Sequence, residues 1–205
     1  DPALLSQAFI EALGEAGVTR VSLGVQTFDP AVQAKVNRIQ PFDAVAIAVE
    51  RLRAAGVTAI NFDLMYGLPL QTPDSVRSTV ELALSLEADR IAVFGYAHVP
   101  WMKKHQEVIK DADLADAVGR WAQADAADEA LVDGGYVRIG IDHYAWPEDA
   151  LAKAAATGAL RRNFQGYTDD PAPVLVPIGP SSIGSFREGF VQNAVGTDVW
   201  RTAIH

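Results

Sequence analysis

Along residues 3–16, ALLSQAFIEALGEA, apolar positions return at the spacing of a helix with one buried face. Asp1 and Pro2 offer an N-cap and a first-turn proline, and Gly17 a stop. The run 19–26, TRVSLGVQ, is short, apolar and β-branched, and reads as a strand. Asp29-Pro30 opens a helix to about Ile39, and Asp43 caps another, AVAIAVERLRAAG, that stops at Gly56. A second strand follows at 57–64, VTAINFDL, then a helix opened by Thr72-Pro73-Asp74. The third strand is 89–97, DRIAVFGYA. A long helix from about Leu114 to Val132 stops at Gly134-Gly135, and YVRIGIDHYA, 136–145, reads as a fourth strand.

Strand and helix alternate with short Gly or Pro punctuation. The strands read as nearly continuous apolar runs, as when both faces of a sheet are covered. This pattern predicts an α/β fold, either an open parallel sheet or a (β/α) barrel. After Trp146 the character changes. LRRNFQGYTDDPAPVLVPIGPSSIGSF is rich in Gly, Pro, Ser and aromatics, and reads as irregular, site-forming structure. The expected division is therefore 1–145, a catalytic α/β unit, and 146–205, a segment leading towards a further domain.

The chain has 205 residues, 49% of them hydrophobic, which suffices for one sizeable core. Its net charge of -9 argues against nucleic-acid binding, which calls for a basic face. There is no cysteine, so disulfides, thiolate metal sites and a cysteine nucleophile are excluded within this stretch. No apolar run approaches the length of a membrane span, and no signal peptide is visible.

Parallel α/β folds bind ligands at the carboxyl ends of their strands. Those ends carry Gln26, Asp63 with Tyr66, His98, and Asp142 with His143. Polar groups from four strands on one rim predict one shared site. Each also has a plain reading. Asp63 could form a turn, Gln26 could tie down a loop, and Arg38 could be a solvated cation near a helix end. His98 and His143 show no metal-ligand spacing and suit hydrogen-bonding roles. IGPSSIGS could be a small-residue phosphate loop, but it lacks the lysine of such loops. Spacing alone reveals no catalytic triad, no paired carboxylates and no metal cluster, so no catalytic residue is assigned.

Several phrases together resemble one family: RVSLGVQTFDPAVQAKVNRIQ, INFDLMYGLPLQTPDS, VFGYAHVP, IKDADL, GIDHYAWPEDALA and RRNFQGYT. They are similar to the oxygen-independent coproporphyrinogen III oxidases (dehydrogenases) of haem biosynthesis, which are radical S-adenosylmethionine (SAM) enzymes. The resemblance covers nearly the whole chain. It implies part of a radical SAM (β/α) barrel, an incomplete TIM-like barrel, followed by the start of a C-terminal region. In that family three cysteines on an early barrel loop hold a [4Fe–4S] cluster. The match puts Asp1 beyond that loop, so the expectation is the back half of the barrel, unable alone to hold the cluster and inactive by itself.

The resemblance further implies the chemistry. The reduced cluster cleaves SAM, and the resulting radical takes hydrogen from the β-carbon of a propionate. Loss of CO2 and an electron leaves a vinyl group; two such steps convert coproporphyrinogen III to protoporphyrinogen IX. Position by position, Gln26, Arg38 and Asp63 match SAM-binding side chains, and Ala97 and Ile183 match positions that line SAM, of which the family binds two. Arg161 and Arg162, in the RRNFQGYT phrase, are candidates for a propionate contact, with a surface role as the other reading. The implied partners are coproporphyrinogen III and an unidentified electron donor and acceptor, in a cytoplasmic enzyme. The alternative is a related radical SAM haem chaperone, which binds haem without this decarboxylation. The phrases at 94–100 and 140–168 favour the oxidase.

Overall fold

The computed structural model describes residues 2–164 and 166–204. Their contacts divide into two units, residues 1–152 and 153–205. Each is described on its own.

The first unit is built on a five-stranded sheet of order β1-β2-β3-β5-β4. Its strands are β1 (Arg20–Gln26), β2 (Ala59–Tyr66), β3 (Arg90–Gly95), β4 (Val137–Arg138) and β5 (His143–Ala145). Strands β1, β2 and β3 are parallel neighbours, whereas β5 runs antiparallel to both β3 and β4. The expected single fourth strand is thus a hairpin. Gly140, at φ 110, permits the reversal, and Ile139 N donates to His143 O at 2.7 Å across it. The sheet does not close. An open set of parallel strands with helical crossovers agrees with an incomplete barrel.

The helices of this unit are α1 (Gln7–Glu15), α2 (Pro30–Lys35), α3 (Phe42–Ala54), α4 (Pro73–Ser85) and α5 (Ala117–Asp133). Ser6 caps α1 by accepting from Phe9 N at 3.2 Å, so the helix starts later than Asp1-Pro2 would set it; Asp1 lies outside the described residues. Helix α2 stops at Lys35, short of Ile39, and Asn37 turns at φ 53. Pro41 rather than Asp43 stands at the N-cap of α3, and Asp43 lies in the first turn, where its charge suits the helix dipole. Thr72 and Ser75 form a reciprocal capping box on α4. Asp116 caps α5, accepting from Gly119 N at 2.8 Å.

The sheet's two faces differ, contrary to the expectation of apolar cover on both. Leu23, Val25, Ile60, Phe62, Leu64 and Ile91 are buried against the helices and form the core. Burying one such aliphatic or aromatic side chain contributes about 1.5–3 kcal/mol. The alternate positions face the other way: Arg20, Ser22, Gly24 and Gln26 on β1, Asn61 and Asp63 on β2, Arg90 on β3. At the amino ends of the strands this inner face is closed by an ion-pair group. Asp149, 7% exposed, meets Arg90 at 2.8 Å and Arg20 at 3.8 Å. The carboxyl ends are left to the site described below. No helix among the described residues is long and apolar enough to cross a membrane.

Helix α6 (Ala150–Thr157) spans the division between the units. The second unit then contains two antiparallel hairpins, β6 (Arg161–Asn163) with β7 (Gly166–Thr168) and β8 (Ile183–Phe186) with β9 (Gly189–Gln192), and the helix α7 (Thr197–Ile204). It is more regular than its composition predicts. Glycines in the left-handed region, such as Gly166 at φ 135 and Gly189 at φ 146, make the hairpin corners.

Candidate functional site

Strand β1 ends in a bulge. Gly24 pairs with Asp63 of β2, but the next pairing skips Val25 and joins Gln26 to Leu64. Gln26 takes φ 68, a left-handed conformation that costs a non-glycine residue about 1 kcal/mol or more. Bulges of this kind re-aim a side chain at a strand end. The Gln26 amide is turned back over Gly24: a Cβ on residue 24 would lie 2.7 Å from Gln26 Nε2 and 3.2 Å from Arg38 Nη2. The absence of a side chain at Gly24 is what admits both groups.

Arg38 reaches the same spot from the loop after α2. Its Nη2 donates to Gly24 O at 2.8 Å and its Nε to Gln40 Oε1 at 2.8 Å. That loop is fixed by the buried Gln33, whose Nε2 donates to Thr27 O at 2.9 Å and Gln40 O at 2.7 Å. Its Oε1 accepts from Gln40 N at 2.9 Å. Arg38 is therefore oriented from both sides, not a freely solvated cation.

Asp63 lies beside Gly24, in register, on the inner face. Ser22 Oγ donates to its Oδ2 at 2.9 Å and Asn61 Nδ2 to its Oδ1 at 2.8 Å, while Asn61 Nδ2 also reaches Ser22 Oγ at 2.9 Å. Among the described residues the carboxylate is held by two neutral groups and no cation. Its oxygens keep lone pairs for a ligand, since a carboxylate offers about four acceptor positions. Three residues expected at the cofactor, Gln26, Arg38 and Asp63, are thus gathered around Gly24.

Buried amides brace the other loops of this rim. Gln123 of α5 accepts from Gly67 N at 2.8 Å and donates to Gln71 O at 2.7 Å; Gln71 in turn accepts from Leu68 N at 2.8 Å and donates to Met65 O at 2.9 Å. Gln106 accepts from Val99 N at 2.6 Å and donates to Ala97 O at 3.1 Å, which sets the backbone at Ala97 just beyond β3. Neutral amides satisfy irregular buried backbone without burying charge. His98 bridges Tyr96 OH at 3.2 Å and Asp111 at 3.3 Å, the hydrogen-bonding role its spacing suggested. Burial pushes the Tyr96 hydroxyl pKa up. Arg120 of α5 stacks on Tyr66, 5.9 Å from the ring centroid, against Gly67 and Gly95.

Sequence reasoning missed Ser22, Asn61, Gln33, Gln106, Gln123 and Arg120. The period-two polar positions on β1 and β2 are the one signal that could have found the first two.

In the second unit, Arg161 and Arg162 line one cavity of about 530 Å³, with Phe164, Pro173, Leu175 and Phe190 among its walls. Arg162 stands 5.3 Å from the centroid of the Tyr167 ring, and Arg161 Nη1 lies 3.4 Å from Pro171 O. Ile183 opens β8, paired with Gln192. The IGPSSIGS stretch is not a phosphate loop. Ser182 Oγ is turned inward onto Gly179 O, which also accepts from Asn193 Nδ2, and the stretch leads into a hairpin rather than a helix. Among the described residues no group of three or more His, Cys, Asp or Glu could hold a metal ion.

Residues 1–83 match the Radical SAM superfamily. Over 204 residues, the whole of this chain, it is 47% identical to the oxygen-independent coproporphyrinogen III oxidase of Cereibacter sphaeroides and 50% identical to that of Bradyrhizobium diazoefficiens. The chain spans 45% of the length of each of these curated relatives. Its fold matches the solved structure of coproporphyrinogen III oxidase (HemN) from Escherichia coli, a radical SAM enzyme, with a TM-score of 0.91 at 38% identity. That match covers 97% of this chain and 46% of the other. The archaeal Elp3 of Methanocaldococcus infernus shares the fold alone, with a TM-score of 0.53 at 18% identity over 62% of this chain. Residues 1–83 thus match a radical SAM family model, and the fold is similar to that of a solved radical SAM enzyme.

Proposed function

We propose that this chain belongs to the catalytic body of an oxygen-independent coproporphyrinogen III oxidase. That enzyme converts two propionates of coproporphyrinogen III to vinyl groups with loss of CO2, giving protoporphyrinogen IX. The observation that carries the reading is the convergence of Gln26, Arg38 and Asp63 around Gly24, in a chain similar to these oxidases from end to end.

The rim suits SAM. Bound there, SAM supplies hydrogen-abstracting chemistry when given an electron. Asp63 accepts hydrogen bonds from the donors of SAM and opposes its sulfonium charge. Arg38, its guanidinium plane set by Gly24 O and Gln40, pairs with the carboxylate of the methionine moiety. Gln26 adds an amide at the same point. Ala97 and Ile183, which have no polar side chain, contribute through backbone groups or by packing. The residues here do not fit the [4Fe–4S] cluster, because the 205 residues include no cysteine. In this reading the cluster is held by cysteines outside these residues, and its electron comes from a separate donor.

A flat tetrapyrrole with four carboxylates asks for arginines beside apolar walls. Arg161 and Arg162 with Phe164 and Phe190 offer that combination, and we assign them to the substrate.

The test is an anaerobic reaction of the intact protein, reconstituted with iron and sulfide, with SAM, a reductant and coproporphyrinogen III. Chromatography should show protoporphyrinogen IX formed through a monovinyl intermediate. Tight haem binding with no SAM-dependent loss of CO2 would instead support a haem-carrying relative.

A further inference from the structure

Strand β2 ends at Tyr66, which pairs with Gly95 at the end of β3. Tyr66 follows Phe62 and Leu64 at alternate positions and packs with them against the core, so it lies on the helix side of the sheet, the face opposite Asp63. Arg120 of α5 covers it, its guanidinium carbon 5.9 Å from the ring centroid. Two glycines make room. A Cβ on Gly67 would lie 3.1 Å from Arg120 Cζ, so the guanidinium rests on bare backbone. A Cβ on Gly95 would lie 2.9 Å from Tyr66 OH and 3.3 Å from Arg120 Nη2. Gly95 is exposed, so that spot is open from outside. Two donors thus converge beside one position from which a side chain is missing.

Neither donor is spent. The Arg120 side chain and the Tyr66 hydroxyl make no hydrogen bond or ion pair with another described residue. Arg53, Arg77, Arg90 and Arg138 of the same unit each meet a carboxylate. Arg120 is partly buried and keeps its charge and its five N–H donors. A cation withdrawn from water without an anion beside it carries a desolvation cost that a bound anion offsets. Tyr66 and Gly95 also line a cavity of about 160 Å³, with Ala124 one turn beyond Arg120 on α5. Asp142 lines it too, its carboxylate 2.6 Å from His143 Nδ1. Pockets that enclose a drug-sized ligand measure about 300–1,000 Å³, so this space suits a short acidic arm and not a tetrapyrrole ring.

We propose that Arg120, with the Tyr66 hydroxyl, binds a propionate carboxylate of the tetrapyrrole at the gap left by Gly95, and that this propionate is one of the two that do not react. The inference rests on the function proposed above and deepens it. Asp63 stands on the opposite face of the sheet, and the cofactor groups gather with it around Gly24. A carboxylate held on the helix side of the β2–β3 rim is therefore turned away from the cofactor. The carboxylate of SAM has Arg38 on its own side. The guanidinium fork suits a carboxylate through two parallel hydrogen bonds, and the hydroxyl adds a third.

The experiment measures binding by the intact protein of coproporphyrin III and protoporphyrin IX through their fluorescence, and of SAM by calorimetry. These porphyrins are the stable aromatic counterparts of substrate and product, and the second keeps only the two unreacted propionates. Arg120→Ala should weaken both porphyrins about tenfold or more, the loss of a charge-assisted pair, and leave SAM affinity unchanged. Arg120→Lys, which keeps the charge but not the fork, should recover part of that affinity. Tyr66→Phe keeps the ring under the guanidinium, and with it the contact between helix and strand. It should still weaken both porphyrins roughly threefold to tenfold, whereas a stack that only fastens α5 to the sheet predicts no change. Raising the salt concentration should weaken the parent more than Arg120→Ala. Unchanged porphyrin affinity in Arg120→Ala and Tyr66→Phe would overturn the assignment while leaving the proposed function standing. So would a loss of SAM affinity with the porphyrins unaffected. Weakened coproporphyrin III with unchanged protoporphyrin IX would overturn the choice of an unreacted propionate. A parent that binds SAM but neither porphyrin would overturn the functional reading and this assignment together.

Discussion

The Ser22 hydroxyl donates to Asp63 Oδ2 at 2.9 Å, from a strand 41 residues earlier in the chain. With Asn61 on the other oxygen, this bond fixes the carboxylate plane without neutralising its charge. Ser22→Ala should therefore leave the fold intact and lower SAM affinity roughly threefold to tenfold, the worth of one orienting hydrogen bond. Titration calorimetry of the two proteins checks this, and an unchanged affinity would show that Asp63 needs no such support.

Gly24→Ala probes the convergence itself. The new methyl group would stand 2.7 Å from Gln26 Nε2 and 3.2 Å from Arg38 Nη2. Both are ends of flexible side chains, so they move aside and the strand survives. The expected outcome is a melting temperature within a few degrees of the parent and a loss of SAM binding of tenfold or more, on the order of one displaced charged contact. A large fall in melting temperature would mean that Gly24 serves the strand, not the ligand.

Gln33→Ala separates bracing from binding. Gln33 is 4% exposed and makes three hydrogen bonds to backbone groups of Thr27 and Gln40. Leaving those groups unsatisfied should cost about 1–3 kcal/mol in urea unfolding. SAM affinity should fall as well, because Arg38 loses its fixed loop. A variant equally stable, with unchanged affinity, would contradict the bracing role.

Much of this was legible in advance. Thr72-Pro73 marks the start of α4, and Gly134 the end of α5, because caps are local chemistry. The rim positions of Gln26 and His98 followed from where apolar runs end, whereas β2 runs on past the expected end to Tyr66 and Asp63 sits inside it, three residues from its close. The reversal between β4 and β5 was not legible, since YVRIGIDHYA stays apolar in alternation through Gly140. Strand direction is set by pairing partners, which a one-dimensional pattern does not record. Ser22 and Asn61 were hidden for the same reason: each is an ordinary polar strand residue until register brings them together. Gln33, Gln106 and Gln123 carry no sequence mark, because a helical glutamine normally faces water.

Acid and alkali should loosen the same corner of the first unit by opposite routes. The Arg138 guanidinium, hydrogen-bonded to Asp128 at 2.5 and 2.6 Å, holds that carboxyl below the ordinary range, with the Tyr144 hydroxyl assisting. A lowered folded pKa means stability present above about pH 4 and lost as the pH falls through the folded value. Burial raises the Tyr136 and Tyr144 hydroxyls above their ordinary 10.0. That contribution is full below about pH 10 and lost as the pH climbs beyond it. Asp128→Asn should flatten the acid limb of a urea-midpoint profile between about pH 5 and pH 2. An unaltered acid limb would contradict it.

The central claim is that the rim around Gly24 is a SAM site with Asp63 as its anchor. Its most direct test is calorimetric titration of SAM into the intact protein and into Asp63→Ala, with circular dichroism to confirm that both are folded. The account predicts saturable binding by the parent and a loss of at least tenfold in the variant, on the order of one charge-assisted contact removed. Equal SAM affinity in the two folded proteins would contradict it.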